Sequence, residues 1–176
     1  KSQSRDGEKY RQLYFTDIDP DLKVNTEDRL NDTNSSIFSR TRRLDPTSKD
    51  YIPEADEHNY THKNHHVKGV FEEILNMFES QVNRVRLAVI MPKFTIKPHI
   101  DYDPSYITRY HIPIFTNDQV VFGAKTKDGN ISYTMPADGS VYFFNSGMLH
   151  WVNNNSDVPR LHLIIDTNGQ DDLRLQ

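Results

Sequence analysis

Arg160-Leu161-His162-Leu163-Ile164-Ile165 and Arg109-Tyr110-His111-Ile112-Pro113-Ile114 carry the same alternation of polar and apolar residues. Successive side chains of a strand point to opposite faces. Arg160 and His162 therefore share a face opposite Leu161, Leu163 and Ile165, and Arg109 and His111 share one opposite Tyr110, Ile112 and Ile114. With the apolar faces packed beneath an outer layer, the polar faces look into the space between two sheets. A cavity lined by Arg and His binds an anion, a metal, or both. The competing reading turns Arg109 and His111 to solvent and leaves Arg160 at the surface beside Asp157 or Asp166.

These strands sit in a series of β-type runs: Val85 to Met91, Phe94 to Lys97, Thr108 to Phe115, Gln119 to Lys125, Ile131 to Met135, Ser140 to Asn145, Trp151 to Asn153 and Arg160 to Thr167. Asp128-Gly129 and Asp138-Gly139 supply turns. Roughly one run per ten residues is the spacing of a β-sandwich or jelly roll. Upstream, Val67, Val70, Phe71, Ile74, Leu75, Phe78 and Val82 form one apolar stripe at helical spacing, which predicts a helix over about Asn64 to Val82. Residues 1–60 are rich in Asp, Asn, Ser, Thr and Arg and predict one or two strands in long loops. The expected organisation is a single domain over 1–176: a polar N-terminal extension and possible lid (1–60), a helix (61–83), a mainly β core (84–167) and a tail (168–176).

Composition narrows the chemistry. The 176 residues include no Cys, which excludes disulfide scaffolds, thiolate metal sites and cysteine nucleophiles. The 21 basic and 25 acidic residues form no long block of one sign, so no nucleic-acid partner is expected. No apolar run approaches the ~20 residues of a membrane span, and the polar residues 1–11 do not make a secretory segment. A cytoplasmic location is the expectation, with the sequons at Asn31, Asn34, Asn59, Asn130 and Asn154 read as chance. Oligomeric state is not readable.

His99-Ile100-Asp101 puts an imidazole and a carboxylate on one side of a strand end. His150 follows the turn Asn145-Ser146-Gly147, and Arg160 lies ten residues beyond it. Two His and one carboxylate on a β scaffold make the facial triad that leaves open positions on non-heme Fe(II). His62 and His66 are also four apart within the cluster His58, His62, His65 and His66, but no carboxylate motif supports them as ligands, and they read as a solvated loop and helix start. Arg40, Arg42 and Arg43 could meet a substrate carboxylate or lie in an exposed loop. Trp151, Tyr102 and Tyr106 flank the triad and either wall a pocket or simply pack.

The ordered set Pro98-His99-Ile100-Asp101, Arg109-Tyr110-His111, His150-Trp151-Val152-Asn153 and Arg160 resembles the aspartyl/asparaginyl β-hydroxylase family of Fe(II)- and 2-oxoglutarate-dependent dioxygenases, which includes bacterial free-proline hydroxylases. The resemblance covers residues 85–167 and implies a double-stranded β-helix. It makes His99, Asp101 and His150 the iron ligands and the catalytic centre. Arg160 would pair with the distal carboxylate of 2-oxoglutarate, and Arg109 with His111 would hold the carboxylate beside the metal. O2 would be the other co-substrate, succinate a product, and the substrate a small molecule or peptide side chain, carboxylate-bearing, hydroxylated at an unactivated carbon. Animal members replace the carboxylate ligand with Gly, so Asp101 places this chain nearer the bacterial, proline-hydroxylase-like branch. A serine that helps hold the co-substrate in the animal enzymes falls at Ala88. The alternatives are a non-catalytic metal- or ligand-binding β-sandwich of the same fold and a sugar-binding or structural jelly roll.

Overall fold

The alternation is realised as two antiparallel sheets packed face to face. The computed structural model describes residues 9–22, 47, 51, 53 and 56–173. With strands numbered along the chain, the first sheet runs β1 (Tyr10–Tyr14), β4 (Val82–Ile90), β11 (Arg160–Thr167), β6 (Thr108–Phe115), β9 (Tyr142–Phe144). The second runs β5 (Phe94–His99), β10 (His150–Asn154), β7 (Val120–Thr126), β8 (Gly129–Tyr133). A short ribbon pairs β2 (Thr16–Asp17) with β3 (His62–Lys63). This is a double-stranded β-helix, and each of the eight β runs read from the sequence contributes a strand to it. Among the described residues, no helix is long and apolar enough to cross a membrane.

Two apolar clusters hold the layers. Between the sheets, Ile90, Val120, Phe122, Met135, Phe144 and Val152 are buried together. On the outer face of the first sheet, Val85, Tyr110, Leu163 and Ile165 pack with Phe15 and Leu75. Each such Val, Leu, Ile or Phe contributes about 1.5–3 kcal/mol by leaving water. The inner faces are then free to carry polar residues at one end of the sandwich, where Arg86, Arg109, His111, His150, Arg160 and His162 are all buried.

The helix differs from its expectation. α1 spans only Val70–Leu75, and Val82 already belongs to β4. Gly69 at its start has φ 58°, a conformation that glycine adopts without strain and that no helix continues through. Before it, Asn64 is tied to the β1–β2 junction by donating its side-chain amide to Tyr14 O at 3.0 Å. After it, the Asp172 carboxylate accepts from the backbone N–H groups of Glu79 and Ser80. Val67, Phe71, Ile74 and Phe78 nevertheless pack on the outer cluster. The stripe reported the packed face except at Val70, which is 60% exposed, and turns rather than helix carry both of its ends.

The N-terminal segment, expected to hold one or two strands, supplies β1 and β2. β1 is the edge strand of the first sheet, pairing Tyr10 with Ile90, Gln12 with Ala88 and Tyr14 with Arg86. Arg40, Arg42 and Arg43 lie outside the described residues. Asn154, read as part of a chance sequon, is buried, and its amide donates to Ile90 O at 3.1 Å and Val158 O at 2.9 Å. It thereby locks the β10–β11 turn onto β4, and with it the spacing between His150 and Arg160.

Gly123 on β7 pairs with Trp151 on β10, and an ideal Cβ at this position would fall inside the indole. Gly123→Ala is therefore expected to overpack the strand pair and cost about 1–3 kcal/mol, measured as a lowered denaturant midpoint with an unchanged slope.

Candidate metal and anion site

His99 ends β5 and His150 begins β10, and the two residues are register partners across these neighbouring strands. Their rings lie 4.2 Å apart between centroids. Asp101 follows on the loop after β5, where its backbone N–H donates to Ser146 O at 2.9 Å. That bond ties the loop to the turn preceding His150. The three side chains each offer one ligand atom, all within 4.8 Å of one another.

The donor chemistry fits a divalent metal. His99 Nδ1 lies 2.7 Å from Lys97 O and His150 Nδ1 lies 2.8 Å from Met148 O. A carbonyl only accepts, so each Nδ1 carries the proton and each Nε2 presents a lone pair, as a metal ligand must. Burial, opposed by the bond to Met148, keeps His150 below its ordinary pKa and therefore neutral. Asp101 divides its two oxygens: Oδ1 faces His99 Nε2 at 3.9 Å, and Oδ2 accepts from Arg109. Burial would raise the Asp101 pKa, but the Arg109 guanidinium beside it holds it below the usual carboxylate range. The site thus offers two imidazole nitrogens and one carboxylate oxygen, with no soft donor, a set that suits a divalent first-row metal.

Arg109 is placed beside the triad, and most of its donors are taken by carboxylates of the protein. Its Nε donates to Asp166 Oδ1 at 2.7 Å, one terminal nitrogen to both Asp166 Oδ2 and Glu57 Oε2 at 3.1 Å, and the other to Asp101. Four of its five N–H groups therefore hold carboxylates of the protein, and its main action is to anchor Asp101. Asp166, fully buried, also accepts from Arg86 at 2.7 Å. Burial opposes its ionisation, and the two guanidiniums overcome this to hold its carboxyl far below the ordinary range. His111 is buried against Phe144 and Phe122, and burial together with His162 and the nearby arginines holds its pKa well below the ordinary imidazole value.

Arg160 differs from the other inward arginines. It is 2% exposed, and its hydrogen bond is a long one, 3.4 Å to Ala88 O. Its Nε is buried without a partner. Its guanidinium carbon lies 5.5 Å from the centre of the Phe122 ring. Burial lowers its pKa to about 10 against the opposing influence of Tyr10. Neither surface alternative holds: Asp157 pairs with Lys93 at 3.0 Å, and Asp166 is taken by Arg86 and Arg109.

All six residues singled out in the sequence line one cavity of about 510 Å³ between the sheets. Its buried or half-buried lining charges are four arginines, Arg84, Arg86, Arg109 and Arg160, and two carboxylates, Glu57 and Asp101; a third carboxylate, Asp166, lies buried behind them against Arg86 and Arg109. The first three arginines pair with the three carboxylates, leaving Arg160 without one among the described residues.

Several contributors escaped the sequence reading. Asp166 continues the inward period of Arg160 and His162 and was accessible by extending that alternation; Arg86 alternates in the same way with Ala88 and Ile90. Glu57 had no local signal, because its partners Arg84 and Arg109 come from distant strands. Gln12, in register with the small Ala88, puts an amide into the cavity where the animal enzymes would have their serine. Of the aromatics, Tyr102 lines the cavity, whereas Trp151 covers Gly123 and Tyr106 donates to Asp56. His62 and His65 are exposed, and His58 is engaged with Asp56 at 3.0 Å.

Residues 51–169 match the model of the family described as aspartyl/asparaginyl beta-hydroxylase. The chain belongs to this family. Among curated relatives of this β-hydroxylase-family protein is the uncharacterized protein L888 of Acanthamoeba polyphaga mimivirus, 30% identical over 102 residues. That match covers 56% of this chain and 35% of the viral protein, so the chain spans about a third of its relative's length. Similar solved structures include a cupin domain from Bordetella pertussis, 20% identical with a TM-score of 0.37, covering 49% of this chain and 80% of that one. Another is an uncharacterized Klebsiella pneumoniae protein with a double-stranded β-helix domain, 15% identical with a TM-score of 0.38, covering 50% and 68%.

Replacing Arg109 by Met in this β-hydroxylase-family chain leaves Glu57 without one of its cations and Asp166 with Arg86 alone. The expected cost is about 3–5 kcal/mol. Asp166 has a folded pKa below its unfolded value near 3.8, so its stabilisation is complete above that pH and lost as pH falls through the folded value. Urea unfolding should show wild-type stability falling below about pH 4, with a flatter acid limb in Asp166→Asn.

Proposed function

We propose that the protein is an Fe(II)- and 2-oxoglutarate-dependent dioxygenase that hydroxylates an unactivated carbon of an amino acid, peptide side chain or related small carboxylate. The observation that carries this reading is Arg160: a buried guanidinium without a carboxylate partner among the described residues, in the same cavity as a two-His, one-carboxylate group that could hold a metal. An uncompensated buried cation costs several kcal/mol. A dianion with one end at the metal and the other at Arg160 removes that cost, and the planar guanidinium suits bidentate pairing with a carboxylate.

His99, Asp101 and His150 would hold the iron, and Arg160 the distal carboxylate of 2-oxoglutarate. His111, with the remaining N–H of Arg109, would flank the carboxylate beside the metal. When bound, iron supplies O2 activation coupled to oxidative decarboxylation of 2-oxoglutarate to succinate. The protein's own part is placement and protection. Arg109 keeps Asp101 ionised and directed toward the imidazoles, the backbone carbonyls of Lys97 and Met148 keep both Nε2 atoms available, and the apolar wall of Phe122, Phe144 and Val152 limits water on the inner side. Tyr10, Gln12 and Tyr102 line the remaining wall, where a substrate would lie.

The test is an anaerobic titration with Fe(II) followed by 2-oxoglutarate, monitored by metal-to-ligand charge-transfer absorption. The band is expected in the wild type and absent in His150→Ala. Arg160→Ala should need at least about thirtyfold more 2-oxoglutarate, since truncating one partner of a buried charge pair costs 2–5 kcal/mol or more. A wild type that binds Fe(II) but forms no band overturns the dioxygenase reading in favour of a metal-binding β-sandwich. One that binds no metal overturns both.

A further inference from the structure

His162 lies on the inner face of β11 between Arg160 and Ile164, with 0% of its surface exposed. Its ring stacks on Phe122, with centroids 5.8 Å apart and planes 23° apart, so packing sets its orientation. Nδ1 lies 3.3 Å from Nδ1 of His111, while Nε2 is buried without a partner among the described residues. An apolar residue would fill this place without burying an unpaired nitrogen. The imidazole therefore has its value in the contact with His111.

Two Nδ1 atoms at this distance share one proton, so one ring donates and the other accepts. Both rings are neutral, because burial and the adjacent Arg160 lower the pKa of His162 to about 2 and burial with its neighbours lowers that of His111 well below the ordinary value. In one arrangement His111 donates. His162 then carries its proton on Nε2, as a buried N–H without an acceptor, and His111 turns a lone pair toward the cavity that must accept an anion. In the other, His162 donates from Nδ1. Its orphan nitrogen is then a bare acceptor, which folded proteins tolerate better than an orphan N–H, and the proton of His111 sits on Nε2.

We infer that His162 is a positioning residue, whose Nδ1–H donates to His111 Nδ1 and so fixes His111 as a neutral Nε2–H donor for a carboxylate oxygen in the cavity. The identity of that carboxylate rests on the co-substrate reading above; the proton positions do not. The relay sets donor polarity without adding charge to a cavity already rich in arginine.

The experiment uses the full chain labelled with 15N-histidine. Long-range 1H–15N spectra report which nitrogen of each neutral ring is protonated, and a 15N–15N coupling across the hydrogen bond identifies the pair. The expected result is Nδ1–H on His162, Nε2–H on His111, and a coupling between the two Nδ1 atoms. A proton on Nε2 of His162 overturns the inference. His162→Phe keeps the stacking volume but removes the donor, and should raise the 2-oxoglutarate KM about tenfold, the scale of one lost hydrogen bond, with kcat little changed. His162→Asn restores an N–H at the same distance along the side chain and should recover most of the affinity. Equal KM values for His162→Phe and the wild type would sink the positioning role. A wild type that shows the expected protonation but no 2-oxoglutarate binding would instead overturn the assigned ligand, leaving the relay in place.

Discussion

Asp166 is buried completely, and it remains ionised because Arg86 and Arg109 reach it from the strands on either side of β11. A lone carboxylate at that depth would be several kcal/mol out of balance. Satisfying it fixes Arg109, whose other donors reach Glu57 and Asp101. Asp101 belongs to the loop leaving the opposite sheet. One buried charge thereby joins the two sheets at the cavity end, sets the orientation of a metal-ligand oxygen, and draws the segment around Glu57 against the barrel. The cluster is a network whose members have little independent freedom, which is why its effects are coupled rather than additive.

The strands were legible because period-two alternation survives folding almost unchanged: Thr108–Phe115 and Arg160–Thr167 form with the bounds read from the sequence. The inward placement of Arg109, His111, Arg160 and His162 followed from the same alternation. The helix was less legible, since an apolar stripe records which side chains face the core and says little about the backbone between them; Gly69 and the turn at Asn76 to Phe78 interrupt it locally. Glu57 was invisible for a different reason. Its role depends on a long-range approach of a turn to β4 and β6, for which no local pattern exists.

Residues 10–14 show the same limit from the other side. Alternation in Tyr10-Arg11-Gln12-Leu13-Tyr14 points to a strand, but not to its neighbour. Pairing with β4 places Tyr10, Gln12 and Tyr14 on the cavity side, with Tyr14 donating to Gln12 and Gln12 to Tyr10. Among the described residues β1 shares strand hydrogen bonds with β4 alone, so its inward residues can differ without repacking the sheet interior. His150 lacks that freedom, because β10 is flanked by both β5 and β7.

β10 and β11 are consecutive in the chain yet belong to different sheets. His150 thus stands on one wall of the cavity and Arg160 on the other, with the turn between them locked by Asn154. Facing sheets stand about 10 Å apart, and this interval is a molecular ruler. Under the proposed reading it would measure the co-substrate: a five-carbon 2-oxo diacid would have to span the interval from metal to guanidinium, and a homologue one methylene shorter would be expected to leave one end unengaged. Selection among chemically equivalent keto acids is then a matter of length, imposed by the spacing of the walls rather than by any single contact.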